Sequence, residues 1–327
     1  MLSFLVRRMA YAVLTVVLVS IIGFVIINLP PGSYLEVYIA ELRAQGTEAT
    51  QDQIEQIQRR YRLGDPMYVQ YWNWISGFVR GDFGRSFQYD RPVSQLIGQR
   101  LLLTFLMALC TIVFTWVVAI PIGVYSATHQ YTKGDNFFTF VGFLGLSIPN
   151  FLLALIFMVI ASQVFGQSVG GLFSEAYRDA PWSIGKVIDL LKHLWIPVRV
   201  IGTAGTAGLI RIMRGNLLDV LNKQYIQTAR SKGLQESVVI YKHAVRTAIH
   251  PLIMHLGMTM PMIISGGTVV AIVLSLPTIG PLYFNALRSQ DMYLAGTVLM
   301  FMSILLIIGN LFADLLLSWV DPRIRYE

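Results

Sequence analysis

Residues Gln224–Gln235, QYIQTARSKGLQ, form a polar and basic stretch in a chain that is otherwise rich in apolar residues. The stretch stops at Gly233 and resumes as QESVVIYKHAVR. It lies between two long apolar runs, and about forty residues around it, 211–250, are too polar to cross a membrane. This arrangement predicts a protein with several membrane spans and a folded loop outside the bilayer.

The composition supports that interpretation. The chain has 327 residues, of which 55% are hydrophobic and 13% are charged, whereas soluble domains average about 25% charged residues. We therefore predict an all-α integral membrane protein. The net charge of +7 fits basic loops at a membrane better than nucleic-acid binding. The single cysteine, Cys110, excludes an intrachain disulfide and a thiol metal cluster.

Six apolar runs are long enough to span a bilayer. The first is interpreted as a retained span, because it is longer than the apolar region of a signal peptide and lacks a cleavage site. The predicted spans are Met9–Leu29, Leu101–Thr128, one within Asn136–Phe165, Leu194–Met213, Leu252–Leu274 and Met292–Trp319. They divide the chain into a first tip and span (1–29), a helical extracytoplasmic segment (30–98) and a core with five spans (99–327).

Charge predicts the orientation of these spans. The segment Arg211–Arg246 carries seven bases and two acids, whereas the loop 175–192 carries three of each. Because cytoplasmic loops are enriched in Lys and Arg, the 211–250 loop and both termini are predicted to be cytoplasmic.

The extracytoplasmic segment contains helical patterns. Its stretch 66–81, PMYVQYWNWISGFVRG, is rich in Tyr and Trp, which favour the headgroup level. We expect an amphipathic helix on the outer leaflet there, and a docking face for a soluble partner is the alternative.

The fourth span contains candidates for a substrate pathway. Arg199 is a charge near its outer end, and such charges are costly unless they serve a function or reach the interface. Gly202, Gly205 and Gly208 are three residues apart, which favours close helix packing or a helix that lines a pathway. Ser265, in ISGGT, is a further pathway candidate.

No catalytic constellation is visible in the sequence. Ser265 lacks a histidine in register, and His250 and His255 are five residues apart, which is poor spacing for a metal site on one helix. GxxxxGK[ST], the loop that cradles nucleotide phosphates, is absent. We therefore expect a non-catalytic protein without a metal or a cofactor, and any ATP that drives it would have to be hydrolysed by another subunit.

The opening stretch has the pattern of two helices joined by a glycine. Leu217–Lys232 is predicted to be one helix, ended by Gly233, and a second helix is predicted from Gln235–Glu236 to Arg246. One helix face is predicted to contain Leu218, Leu221, Tyr225 and Thr228 or Ala229. Thr228, Ala229 and Ser231 would let another protein approach closely, with Arg230 and Lys232 available to pair with its acids. Attraction of a basic loop to anionic lipid is the alternative.

Five ordered motifs resemble one family. TARSKGL (228–234), with Pro251 eighteen residues after Gly233, resembles the coupling loop of ABC-importer permeases of the dipeptide, oligopeptide and nickel branch. The others are LGDPMYVQYWNWISGFVRGDFGRSF (63–87), LSIPNF (146–151), SLPTIGPL (275–282) and WVDPRIRY (319–326). The long outer segment resembles the first permease of the pair. In two departures from the usual loop, Gln227 replaces its glutamate and Thr228 its first alanine.

The resemblance implies a type I ABC importer permease in a prokaryotic inner membrane. Its partners would be a second homologous permease, two cytoplasmic ATPases that use ATP and Mg, a soluble substrate-binding protein and membrane lipid. Peptides are the expected cargo, with oligosaccharides or a nickel chelate as alternatives. The residues implied to contact the ATPase are Tyr225, Gln227, Thr228, Ala229, Arg230, Lys232, Gly233, Leu234 and Pro251. A stand-alone secondary transporter is an alternative of another class, although no charge pairs or inverted repeats support it.

Overall fold

The fold is described from a computed structural model. The described residues are 2–29, 34–44, 50–51, 54–56, 58, 64–166 and 170–320. Most of residues 51–63, in the predicted extracytoplasmic segment, and most of the WVDPRIRY motif lie outside these ranges. The chain divides into two compact units, Met1–Thr104 with Thr278–Ile307, and Phe105–Pro277 with Ile308–Glu327.

The described residues are almost entirely helical, and within them the only β-type pairing is an isolated bridge between Arg85 and Pro92. A π-helical turn, Val239–Ala244, lies between two short helices, Glu236–Val238 and Val245–Ala248. The helices are α1 Leu2–Asn28, α2 Tyr34–Ala44, α3 Met67–Val79, α4 Val93–Thr128, α5 Lys133–Ser147, α6 Asn150–Phe165, α7 Ile184–Leu221, α8 Gln224–Ser231, α9 Glu236–Val238, α10 Val245–Ala248, α11 His250–Gly266, α12 Thr268–Val273, α13 Ile279–Arg288 and α14 Met292–Val320.

Four helices of the described chain, α1, α4, α7 and α14, are long and apolar enough to cross a membrane. They contain four of the predicted spans. The third predicted span consists of α5 and α6, which are bent by 102° at Pro149 and would form a fifth span if counted together. The bend between α5 and α6 has a local cause. A residue before proline avoids the helical region, and Ile148, which precedes Pro149, is extended, with ψ 122°. The fifth predicted span is divided into α11, of 17 residues, and α12.

The first unit has an aromatic core around Trp74 of α3. Trp74 is 1% exposed and stacks on Phe24 of α1, with ring centroids 6.1 Å apart. A Cβ atom on Gly296 would lie 2.9 Å from the indole, so glycine is needed where α14 passes Trp74. Trp74 is therefore a core residue of this unit, whereas aromatics of this stretch were expected to favour the headgroup level. Tyr68 and Trp72 are 76% and 68% exposed and remain candidates for that location.

A buried carboxylate joins the loop after α3 to the start of α14. Asp291 is fully buried and accepts hydrogen bonds from the Ser86 hydroxyl, the Gln88 amide (3.2 Å) and the Leu294 amide (3.2 Å). The last of these bonds caps the N-terminus of α14. Burial raises the pKa of Asp291, and these donors partly offset that effect.

The second unit is built on α7, which packs against α5, α6 and α11. Near its C-terminus a cluster of completely buried residues joins α7 to the following segment: Met213, Leu217, Ile226, Val239, Ala244 and Leu252. Small residues permit other close contacts in this unit. Gly257 of α11 meets Asn310 of α14 so closely that a Cβ atom would lie 2.8 Å from the Asn310 Cα.

Candidate functional site

The segment between α7 and α11 differs from its prediction in both of its helices, and the second one consists of α9, the π-helical turn and α10. Leu217–Lys232 is not one helix, because α7 ends at Leu221 and α8 begins at Gln224. The Asn222 side-chain amide donates to the Leu218 carbonyl at 3.0 Å, which satisfies one of the acceptors that a helix C-terminus exposes. Lys223 is then extended, with ψ 147°, and the chain changes direction there.

The change of direction also alters which side chains are buried. Leu217, Val220, Ile226 and Ala229 are buried. Of the predicted face, Leu218 and Leu221 pack against this buried cluster and Ala229 belongs to it, whereas Tyr225 and Thr228 are exposed. Continuous helical spacing could not anticipate the break. Ala229 is 8% exposed and does not belong to the approach surface predicted for it, whereas Thr228 and Ser231 are exposed as predicted.

Gly233 ends α8 in a left-handed conformation, with φ +77°, as a C-terminal helix glycine does. The Gly233 amide donates to the Arg230 carbonyl at 2.9 Å, and the Lys232 amide donates to the Thr228 carbonyl at 3.1 Å. A Cβ atom at Gly233 would meet nothing within 4 Å. Glycine is therefore required by the backbone conformation rather than by lack of space.

An ion pair closes the turn around this glycine. Both ends of the Arg230 guanidinium donate to Glu236, at 2.6 and 3.2 Å. The arginine lowers the pKa of Glu236, and Glu236 in turn raises the pKa of Arg230. Arg230, which was predicted to pair with acids of another protein, is thus already paired within the segment.

The remaining predicted coupling residues lie on or beside the outer surface of this segment. The Tyr225 hydroxyl donates to Thr247 at 3.3 Å, which ties α8 to α10. Pro251 occupies the first turn of α11, where proline is well tolerated. Gln227, Lys232 and Leu234 are exposed, with Leu234 at 42%. We call residues 222–248 the coupling segment.

A groove of about 490 Å³ lies between α4, α6, α7 and α11. Gly205 and Ser265, two of the residues predicted for a substrate pathway, line it. Gly202 and Arg199 do not. Gly202 is packed so tightly that a Cβ atom would lie 2.7 Å from the Phe114 ring, and the exposed Arg199 guanidinium lies 5.2 Å from the centre of the Trp195 ring.

Sequence reasoning missed several polar residues of this groove. Thr115, Asn150, His255 and Thr259 contribute side chains to it from three helices. Each is a polar residue in a helix of mainly apolar composition, and that is the signal by which it could have been found. Their convergence depends on helix packing and leaves no pattern along the sequence.

These features define a class of protein: an integral membrane component with several apolar helices, a partly polar groove between them and a folded polar segment outside the apolar runs. Comparison with known families makes the class specific. A family described as "Binding-protein-dependent transport system inner membrane component" matches residues 119–326, and its N-terminal counterpart matches residues 1–109. The chain belongs to this family of transport permeases and is a non-catalytic membrane subunit.

Curated relatives align over the full length of this chain and of their own. The oligopeptide transport system permease protein AppB of Bacillus subtilis is 36% identical over 327 residues. The oligopeptide transport system permease protein OppB of Haemophilus influenzae is 31% identical over 327 residues. The glutathione transport system permease protein GsiC of Pectobacterium atrosepticum is 28% identical over 327 residues.

Proposed function

We propose that this chain is a permease subunit of an ATP-driven importer and forms half of a membrane pathway for peptides. The observation that carries the proposal is the coupling segment, in which short helices joined at Gly233 combine an exposed polar surface with a buried apolar attachment to α7. The names of the relatives, which include oligopeptide and glutathione transport systems, support peptides as the cargo. A soluble binding protein would deliver them.

The proposed membrane arrangement has six spans with both termini in the cytoplasm of a prokaryotic cell. The bent pair α5–α6 and the broken pair α11–α12 would each cross as one span, because neighbouring helices can satisfy the backbone groups that such breaks release. Segment 30–98 would then lie on the outer side of the inner membrane, and the coupling segment would lie on its cytoplasmic side. The excess of bases in 211–246 supports this orientation.

The attachment of the coupling segment suggests how a partner could drive transport. Ile226 of α8 and Val239 pack with Leu217 of α7 in one fully buried cluster. A displacement of the segment would therefore move α7, since close-packed interiors transmit strain. Helix α7 also lines the groove, through Gly205 and Ile212. One continuous helix thus connects the surface proposed to bind an ATPase with the surface proposed to meet the peptide.

The chain would obtain its energy from other subunits. We propose two cytoplasmic ATPases, which use ATP and Mg, and a second permease that completes the pathway. Gln227, Thr228, Lys232 and Leu234 would form the ATPase contact, with Gly233 setting their arrangement. Coupling requires that the ATPases contact this surface differently in the inward-open and outward-open states.

The test uses the complete complex purified from native membranes and reconstituted in liposomes. Gly233→Leu would force a branched side chain into a left-handed conformation, at a cost of about 1–2 kcal/mol. We expect the subunits to co-purify, while peptide uptake and peptide-stimulated ATP hydrolysis fall together.

Gly233→Asn is the matched control, because asparagine tolerates the left-handed region, and it should retain most of the activity. Normal uptake and normal stimulated hydrolysis in Gly233→Leu would contradict the coupling role. Purification of the chain without any ATPase, in several mild detergents, would contradict the importer itself.

A further inference from the structure

A second groove lies between α5 and α7 and shares no lining residue with the proposed pathway. Its volume is about 280 Å³. Apolar side chains form most of its wall, and the small residues Gly142 and Ala207 form its floor, where a Cβ atom on Gly142 would lie 3.8 Å from the Ala207 Cβ. The principal apolar side chains are Phe138, Phe143, Leu146 and Ile210.

One end of this groove is charged. The Arg214 guanidinium donates to both oxygens of Asp135, at 3.1 and 2.9 Å, and Asp135 also accepts the Tyr131 amide at 3.0 Å. Both oxygens of the Asp135 carboxylate therefore accept hydrogen bonds from donors of this chain. Arg211, on the same wall, is exposed and makes no ion pair within the part of the chain that the structure describes. The groove end thus carries one uncompensated positive charge.

The dimensions of the groove match one leaflet of a bilayer. Leu146 lies eleven positions after Asp135 on α5, which corresponds to about 16.5 Å at 1.5 Å per residue. Half of a typical hydrocarbon core is about 15 Å. The outer face of α5 is apolar and exposed in this chain, with Phe137 at 59% and Phe140 at 62%. An occupant of the groove would thus extend from a cationic end along an apolar surface.

We propose that the α5–α7 groove binds one anionic phospholipid, with its phosphate on Arg211 and an acyl chain along Phe143 and Leu146. A guanidinium is well suited to binding phosphate. The apolar wall of the groove offers van der Waals contact to an acyl chain. A soluble anion would use only the charged end. The proposal depends on the membrane location of the chain and not on peptide import, so either can fail without the other.

The test is native mass spectrometry of the purified full-length chain with dioleoyl-phosphatidylglycerol or dioleoyl-phosphatidylcholine. The wild type should retain phosphatidylglycerol about fivefold better than phosphatidylcholine, which is the effect of one basic residue on the binding of an anionic lipid. Arg211→Gln should abolish that preference. Gly142→Leu, which fills the floor of the groove, should reduce binding of both lipids. Lys242→Gln removes the same charge from an exposed site in the coupling segment and should change nothing.

Three results would overturn the proposal. The first is equal retention of phosphatidylglycerol by the wild type and Arg211→Gln. The second is full displacement of the lipid by millimolar glycerol 3-phosphate, which would show an anion site without a chain site. The third is unchanged binding of both lipids in Gly142→Leu, which would place the bound lipid outside this groove.

Discussion

At the scale of single residues, the turn around Gly233 depends on one backbone conformation and one ion pair. The left-handed φ of +77° reverses the chain, and the Arg230–Glu236 pair joins the two helices that the turn connects. Both charged side chains are partly exposed, at 36% and 55%, so solvent screens their attraction. The pair therefore contributes modestly to stability, and its main effect is to restrict how far the turn can open.

Glu236→Gln should loosen this turn. An exposed ion pair is worth about 0.5 kcal/mol, which corresponds to roughly a twofold increase in the open form. We expect trypsin at pH 8 to cleave after Lys232 about twice as fast as in the wild type. Asp219→Asn, which removes an exposed carboxylate from α7, is the control and should leave the rate unchanged. Equal rates in Glu236→Gln and the wild type would mean that the pair does not hold the turn closed.

In contrast to the partly exposed Arg230–Glu236 pair, Asp291 is fully buried. Asp291→Asn would place amide hydrogens against the Ser86, Gln88 or Leu294 donors, and an unsatisfied buried group costs about 1–3 kcal/mol. We expect the variant to lose its monodisperse size-exclusion peak several degrees below the wild type. Asp179→Asn, at an exposed site, should not shift this temperature.

The raised pKa of Asp291 gives this carboxyl a defined effect on the pH dependence of stability. The folded state binds its proton more tightly than the unfolded state, so the contribution is full below the ordinary aspartate pKa, about 3.9. It is lost as the pH rises through the raised folded-state value. Asp291→Asn should therefore lack this part of the wild-type decline in stability with rising pH. Parallel profiles for both proteins would contradict the assignment.

At the scale of helices, the contact of α11 with α14 depends on glycine. Gly257→Ala would place a Cβ atom 2.8 Å from the Asn310 Cα and 3.0 Å from its amide nitrogen, so the helices would have to separate. Overpacking of this kind costs about 1–3 kcal/mol. We expect a clear loss of folded protein after mild heating, measured by size-exclusion chromatography.

Gly215→Ala is the matched control for that experiment. Gly215 is exposed in α7, and a Cβ atom there would meet nothing within 4 Å. Replacing a glycine in a helix interior by alanine stabilises it by about 0.5–1 kcal/mol. The two Gly→Ala changes should therefore act in opposite directions. A loss of folded protein in both variants would contradict the packing argument.

Apolar runs predicted the long helices well, because membrane partitioning depends on local composition. The positions of α1, α4 and α14 could be predicted from the apolar residues of each run alone, without knowledge of the helices that pack against them. The break at Asn222–Lys223 was missed because it depends on a side-chain amide that caps α7. The size of the bend at Pro149 could not be read from one proline. Of the residues that line the groove, Gly205 and Ser265 were singled out from the sequence. Asn150 and His255 become their neighbours only after three helices have packed.

At the scale of the whole molecule, the proposed topology makes a direct prediction about sidedness. Helix α7 has 38 residues, which is about 57 Å at 1.5 Å per residue and exceeds a hydrocarbon core of about 30 Å. The loop before it and the segment after it should therefore lie on opposite sides of the membrane.

Single-cysteine variants test this topology in intact cells. In a Cys110→Ser background, Ala176→Cys should react with a membrane-impermeant maleimide added outside. Ser231→Cys should react only after the cells are permeabilised. Both positions are exposed, so reactivity reports sidedness. Labelling of both from the same side would contradict the proposed crossing by α7 and the orientation inferred from charge.

The first unit is built from two separate parts of the chain, which has a consequence for biosynthesis. That unit combines residues 1–104 with 278–307, and Trp74 is covered by Gly296 and Thr297 of α14. At roughly 5–20 residues per second, a ribosome needs roughly 10–35 s to translate the residues between these two parts. During that interval Trp74 lacks its cover. We therefore expect chains that terminate before α14 to expose this aromatic cluster and to be removed by proteolysis, so that only complete chains persist for assembly.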